Sequence, residues 1–174
     1  MNATITATIR RAEAADAADV ARLAGATFVE TFGHLYQPRD LQAFLSSSRA
    51  PQRYERMLAD ERMALWLAAI DGGAPIAYAV AGPCKLPVDH PEPSAGEVQE
   101  LYVLSDYQGH AVGTRLLTTA LEWLTARRFA PLYVGVWSEN FGAQRLYGRF
   151  GFEKVGEYGF PVGDQIDREF ILKR

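Results

Sequence analysis

The stretch LYVLSDYQGHAVGTRLL, residues 101–117, joins a run of strand character to a run of helical character. From Tyr107 to Thr114 the join carries two glycines and neither acid nor lysine. A turn that ends a strand and opens a helix aims several backbone N–H groups, and the positive end of a helix dipole, at one spot; that spot suits a phosphate. Two common nucleotide grips fail on spacing. A dinucleotide fingerprint needs G-x-G-x-x-G, whereas His110, Ala111 and Val112 separate Gly109 from Gly113. A P-loop needs Gly-Lys-Ser/Thr, whereas Thr114 and Arg115 follow Gly113.

The flanking sequence says what kind of sheet surrounds this turn. ITATIRRA reads as an edge strand, and DAADVARLAGATFVETF follows as an amphipathic helix with Asp16 or Asp19 as its cap. QPRDLQAFLSSS and PQRYERMLADE read as two shorter helices, each with proline near its start. MALWLAAIDGGAPIAYAVAGP is two apolar runs joined by Asp71-Gly72-Gly73, an antiparallel hairpin. Between Gly82 and Gly96, PCKLPVDHPEPSA holds four prolines and reads as a shaped surface loop. From Glu97, EVQELYVL, the glycine turn, VGTRLLTTALEWLTARR, PLYVGVW, SENFGAQRLYGRF, GFEKVGEY and IDREFILKR alternate strand with helix before ending on strand. That order predicts a mixed sheet with helices on its faces.

Composition removes several function classes. The 174 residues are 48% hydrophobic and 22% charged, which predicts one soluble domain spanning residues 1–174. A net charge of -3 offers no basic field for nucleic acid or anionic membrane. Cys84 is the only cysteine, so neither an internal disulfide nor a cysteine-based zinc site is expected. His34, His90 and His110 are too scattered for a metal-ligand set. The N-terminal segment lacks signal-peptide order and MALWLAAI is too short to span a bilayer, so a cytoplasmic location is expected.

Taken together, LYVLSDYQGHAVGTRLL and PLYVGVWSENFGAQRLYGRFGFEKVGEY resemble the Gcn5-related N-acetyltransferase (GNAT) superfamily, whose pyrophosphate loop has the form Q/R-x-x-G-x-G/A before a helix. Gln108, Ala111 and Gly113 fall on its fixed positions, with alanine as a departure at the middle one. A narrower likeness, carried by FVETFGHLYQPRDLQAFL and YGFPVGDQIDREFILK, is to the PaiA-like acetyltransferases, some of which act on spermidine and spermine. The histidine that this group often carries near Tyr158 or Gly159 is absent.

The resemblance implies an α/β (α+β) fold: a mixed, mostly antiparallel sheet flanked by helices and splayed between the strand at 97–103 and the strand at 132–137. Acetyl-CoA would be the co-substrate, with no metal. The backbone of Leu101, Tyr102 and Val103 would pair with the pantetheine as an added strand does. Gln108, Gly109, His110, Ala111, Val112, Gly113 and Thr114 would cradle the pyrophosphate.

Tyr147 would sit by the thioester sulfur; a phenol of pKa ~10 can donate to a thiolate whose conjugate acid is nearer ~8.5, so Tyr147 is the expected general acid. A core tyrosine is its bland alternative. Asn140, seven residues earlier in the predicted helix, reads either as a ligand contact on the same face or as a plain helix cap.

The acceptor amine, at a pKa of ~10.4, needs a base. Glu97 and Glu100 are three apart on a strand and face opposite sides unless a bulge intervenes. Glu100 is the expected base, acting through water, although either carboxylate also reads as a surface or paired group. Glu30 and Tyr36 are expected to contact the acceptor. Cys84, Trp66, Trp123 and Trp137 read as packing residues, and Gly151 as a left-handed helix end. The expected activity is acetyl transfer to a primary amine of a small molecule, a polyamine among the candidates. An acetyl-CoA or polyamine sensor and a protein or peptide N-acetyltransferase are the rivals. Many relatives pair as dimers, so a homodimer is an open expectation.

Overall fold

The computed structural model describes residues 6–174. Ile5, which begins the strand expected at ITATIRRA, lies outside them. Seven strands form one sheet in the order β1-β2-β3-β4-β5-β7-β6. They are β1 (Ala7–Arg11), β2 (Ala64–Ile70), β3 (Pro75–Pro83), β4 (Gly96–Val103), β5 (Leu132–Trp137), β6 (Glu153–Val162) and β7 (Gln165–Lys173). All neighbours run antiparallel except β4 and β5, which are parallel. The helices are α1 (Ala17–Phe32), α2 (Pro38–Ser48), α3 (Pro51–Ala59), α4 (Val112–Ala126) and α5 (Phe141–Arg149). None among the described residues is long and apolar enough to cross a membrane.

The middle strands are apolar on both sides because helices cover both sides. One face of β2 and β3 presents Ala64, Trp66, Ala68, Ala77, Ala79 and Ala81 to α4, whose Leu116, Leu117, Ala120 and Leu124 are buried against them. The other face presents Leu65, Leu67, Tyr78 and Val80 to α1 and α3. The alanines on the first face let α4 lie close to the sheet. The β2–β3 hairpin turns through Asp71 and Gly72, both at positive φ, as the Asp-Gly-Gly sequence leads one to expect. Both α2 and α3 begin with proline at the first helical position.

Two boundaries differ from expectation. No side chain at Asp16 caps α1; its carboxylate instead accepts the Glu13 N–H at 2.7 Å and both guanidinium nitrogens of Arg10, while Asp19 pairs with Arg22. At the C-terminal end β6 runs on through Phe160 and Pro161 to Val162, four residues past the expected end at Tyr158. Proline reads as a strand breaker, but β6 is an edge strand and one of its rows of N–H groups needs no partner.

Candidate active site

Parallel pairing of β4 with β5 covers only Gly96 with Leu132, Glu97 with Tyr133 and Val98 with Val134. Beyond Val98 the two strands part, while β4 stays paired with β3 as far as Val103. The backbone edge of β4 from residue 99 to 103 therefore faces an open cleft. Its walls are Leu101, Tyr102 and Val103 of β4, the turn from Tyr107 to Thr114, and α5 with the residues just before it.

The turn has the form its sequence suggests. Gly109 stands at φ 81° and Ala111 at φ 59°, and among the described residues the N–H groups of residues 109–114 find no backbone acceptor. Gln108 ties the turn to β4 by donating to the Val103 carbonyl at 3.1 Å. Gly109, Ala111, Val112, Gly113 and Thr114 all line the cleft. His110, expected among them, is not part of the lining.

Asn140 sits at the N-cap of α5 rather than within it, and its Oδ1 accepts the Ala143 N–H at 3.0 Å. The cap reading is therefore the observed one, although the residue also borders the cleft. Tyr147 is buried at 6% exposure and lines the cleft, and its hydroxyl makes no hydrogen bond among the described residues. Burial raises its pKa, with Tyr102 and the Glu169 carboxylate adding to the effect, so the phenol stays protonated at neutral pH. Gly151, at φ 83°, ends α5: the Phe152 N–H reaches the Tyr147 carbonyl and the Gly151 N–H reaches that of Gly148, a Schellman cap.

A second cavity, of about 140 Å³, meets this cleft at Tyr102, which lines both. Phe28, Phe32 and Tyr36 from the α1 end, Arg49 and Arg53 from the α2–α3 corner, and Tyr158, Phe160 and Glu169 from β6 and β7 enclose it over Glu97, Gln99 and Glu100 of β4. A β-bulge accounts for that last trio. Val80 faces Glu100 while Ala81 faces Val98, leaving Gln99 as the extra residue. The bulge turns Glu97 and Glu100 to the same face, the exception that the sequence reading allowed for.

The acids of this pocket differ in state. Glu100 accepts from Arg53 at 2.5 Å, Tyr54 at 2.9 Å and Tyr78 at 2.7 Å. Burial opposes its charge, but Arg49, Arg53 and the phenols outweigh that and hold its pKa below the usual carboxylate value. This setting disfavours Glu100 as the base expected from the sequence, since a carboxylate held ionised by such donors takes up a proton poorly. Glu97 and Glu169 behave oppositely. Burial pushes each up to about 7, against the help of the Lys85 N–H at 2.7 Å for Glu97 and of the Tyr158 hydroxyl at 3.2 Å for Glu169.

Of the two expected acceptor contacts, Tyr36 lines the pocket and donates to the buried Asp167. Glu30 does not line it. It accepts the Ser105 N–H at 2.9 Å and borders the cleft instead, because the last turn of α1 lies over the β4–α4 turn. Glu169, Arg49 and Arg53 went unread in the sequence. A signal for Glu169 existed: in IDREFILK, alternation places Asp167, Glu169 and buried Ile171 on one face. No group of three or more His, Cys, Asp or Glu that could hold a metal occurs among the described residues.

Residues 25–152 match the acetyltransferase (GNAT) family. The chain belongs to the GNAT family. It is 28% identical over 153 residues to an uncharacterised N-acetyltransferase of Lactobacillus delbrueckii subsp. lactis, covering 85% of each chain. A similar protein of Mycobacterium bovis, also an uncharacterised N-acetyltransferase, is 26% identical over 163 residues, covering 91% of this chain and 97% of its own. In fold, this GNAT chain is similar to the PaiA N-acetyltransferase of Thermoplasma acidophilum in complex with coenzyme A. The TM-score is 0.77 at 14% identity, over 97% of this chain and 98% of the other. Members of the GNAT family use acetyl-CoA, and this member is an acetyl-CoA-dependent N-acetyltransferase. Its cleft fits that co-substrate: an unpaired strand edge can meet an amide-containing arm, and the free N–H groups at the start of α4 can meet a pyrophosphate.

Proposed function

We propose that this enzyme acetylates a primary amine of a small molecule held in the pocket between β4, β7 and the α1–α3 segment. The observation that carries the reading is the pocket itself: narrow, walled by helices, joined to the cofactor cleft at Tyr102, and holding two carboxylates poised near neutrality. Such carboxylates attract an ammonium and can accept its proton. A peptide main chain would need an open groove.

In this reading β4 residues Leu101, Tyr102 and Val103 align the pantetheine, and the turn from Gln108 to Thr114 holds the pyrophosphate. The amine nitrogen attacks the thioester carbonyl carbon. The ammonium first loses one proton to solvent; a C–N bond then forms, the C–S bond breaks, Glu169 receives the second proton from nitrogen, Tyr147 gives its phenolic proton to the sulfur, and exchange with water restores both side chains. Glu169 is chosen over Glu97 because it pairs in register with Trp137 of β5, which lines the cofactor cleft, whereas Glu97 is engaged by the Lys85 N–H. The PaiA-like resemblance adds polyamines to the amines worth trying.

Thiol release from acetyl-CoA, measured over a panel of small amines, polyamines and short peptides with CoA binding followed in the same samples, tests this. Turnover with at least one small amine is expected. Turnover with peptides alone would remove the pocket reading, and CoA binding without thiol release from any amine would make the protein a sensor.

A further inference from the structure

The acceptor pocket is bipolar. At the α2–α3 corner, Arg49 is buried, with 8% of its side chain exposed, and its guanidinium lies over the rings of Phe28 and Phe44 at 5.1 and 5.2 Å. From Nη1 it donates to the Ser48 carbonyl at 2.9 Å, and the guanidinium also lies against the Tyr102 phenol. Nε is buried with no acceptor at all. The nearest carboxylate, Glu100, lies 3.9 Å from Nη1, beyond hydrogen-bond reach, and is already engaged by Arg53, Tyr54 and Tyr78. Two guanidinium groups thus face one carboxylate, which leaves this end of the pocket net positive. The other end, on β7 and beside the 84–95 loop, carries Glu97 and Glu169.

A buried guanidinium with unmet donors is costly unless an anion completes it. Arg53 is the cation that hydrogen-bonds Glu100, whereas Arg49 acts on it by charge alone and spends no N–H donor on it. Aromatic stacking accounts for the position of the Arg49 guanidinium but leaves its Nε–H without an acceptor.

We infer that the acceptor is a zwitterion, an aliphatic amine carrying a carboxylate or similar anionic group, with the anion on Arg49 and the amine directed to Glu97 and Glu169. This rests on the acetyl-transfer reading and narrows it. A polyamine fits less well, because its second ammonium would lie against Arg49 and Arg53. A simple alkylamine would leave Arg49 as unmet as it is now.

The test compares ω-amino acids of increasing chain length with the diamine and the monoamine of the same carbon number, by thiol release from acetyl-CoA. The amino acid of best length is expected to exceed its matched amines in kcat/KM by about ten- to hundredfold, the range of a hydrogen bond to a charged group. In Arg49→Met that ratio should fall towards one, and Arg49→Lys should restore part of it. A residue that merely braced the fold would lower all three substrates together. Thermal unfolding and CoA binding show whether each variant is folded; if Arg49→Met is not, the ranking of substrates by the unaltered enzyme still decides. Preference for diamines or monoamines overturns the zwitterion assignment while leaving amine acetylation intact. Absence of turnover with every small amine overturns both.

Discussion

Ala111 holds φ 59° and ψ 8° at the N-cap of α4, a left-handed conformation in which a β-carbon crowds the backbone. The glycine-type geometry is kept there although the glycine is not, since the turn needs it to aim its N–H groups. Ala111→Gly is therefore expected to raise stability by about 1 kcal/mol. An unchanged or lower denaturant midpoint would remove the strain argument. Tyr147→Phe keeps the ring and its packing against Phe152 but deletes the proton. It should lower kcat by about a hundredfold, with CoA binding retained; full turnover under conditions where chemistry limits would end its role as acid. Tyr147 could be read in the sequence because it sits inside one local motif. Arg49 could not, because its significance arises only where a helix end near the start of the chain meets the sheet; for Glu169, alternation in IDREFILK gave the face but not what that face would meet.

Elements show the same division. The hairpin at Asp71-Gly72, the proline-led starts of α2 and α3 and the left-handed end of α5 are written in a few adjacent residues, so the sequence displays them. The bulge at Gln99 is not written that way, since an extra residue exists only relative to the partner strand, here β3. Yet that bulge decides whether Glu97 and Glu100 share a face. Local rules also give a sharp contrast between two glycines. Gly151→Ala places a β-carbon at φ 83° in the cap that positions Tyr147, and should cost about 1 kcal/mol or more. Gly25 lies within α1 with nothing within 4 Å of an added β-carbon, so Gly25→Ala should stabilise by about 0.5–1 kcal/mol. Opposite shifts in unfolding midpoint check both, and equal signs would mean that backbone conformation does not govern either site.

Across the whole molecule, activity and stability are expected to move against each other as pH rises through neutrality. Glu97 and Glu169 have folded pKa values near 7, raised above the ~4.3 of an unfolded chain by burial between the sheet and its cover. A raised carboxyl pKa means that the folded state favours the protonated form. Its contribution to stability is complete below the unfolded pKa and is lost as pH climbs through the folded one. For Glu97 the loss is on the order of 3 kcal/mol. Asp16, held down to about 2 by Arg10, changes only at much lower pH and does not disturb this range. Catalysis has the opposite sign, because Glu169 accepts a proton only once it has lost its own, so kcat/KM should rise through about pH 7. Glu97→Gln, which mimics the protonated acid, should flatten the fall in thermal stability between pH 5.5 and 8. Glu169→Gln should flatten it likewise and also remove the acid limb of the rate profile. If Glu169→Gln leaves that limb in place, the base lies elsewhere. If neither variant changes the slope of stability with pH, the two carboxylates are not the groups that titrate, and the pocket does not hold them near neutrality.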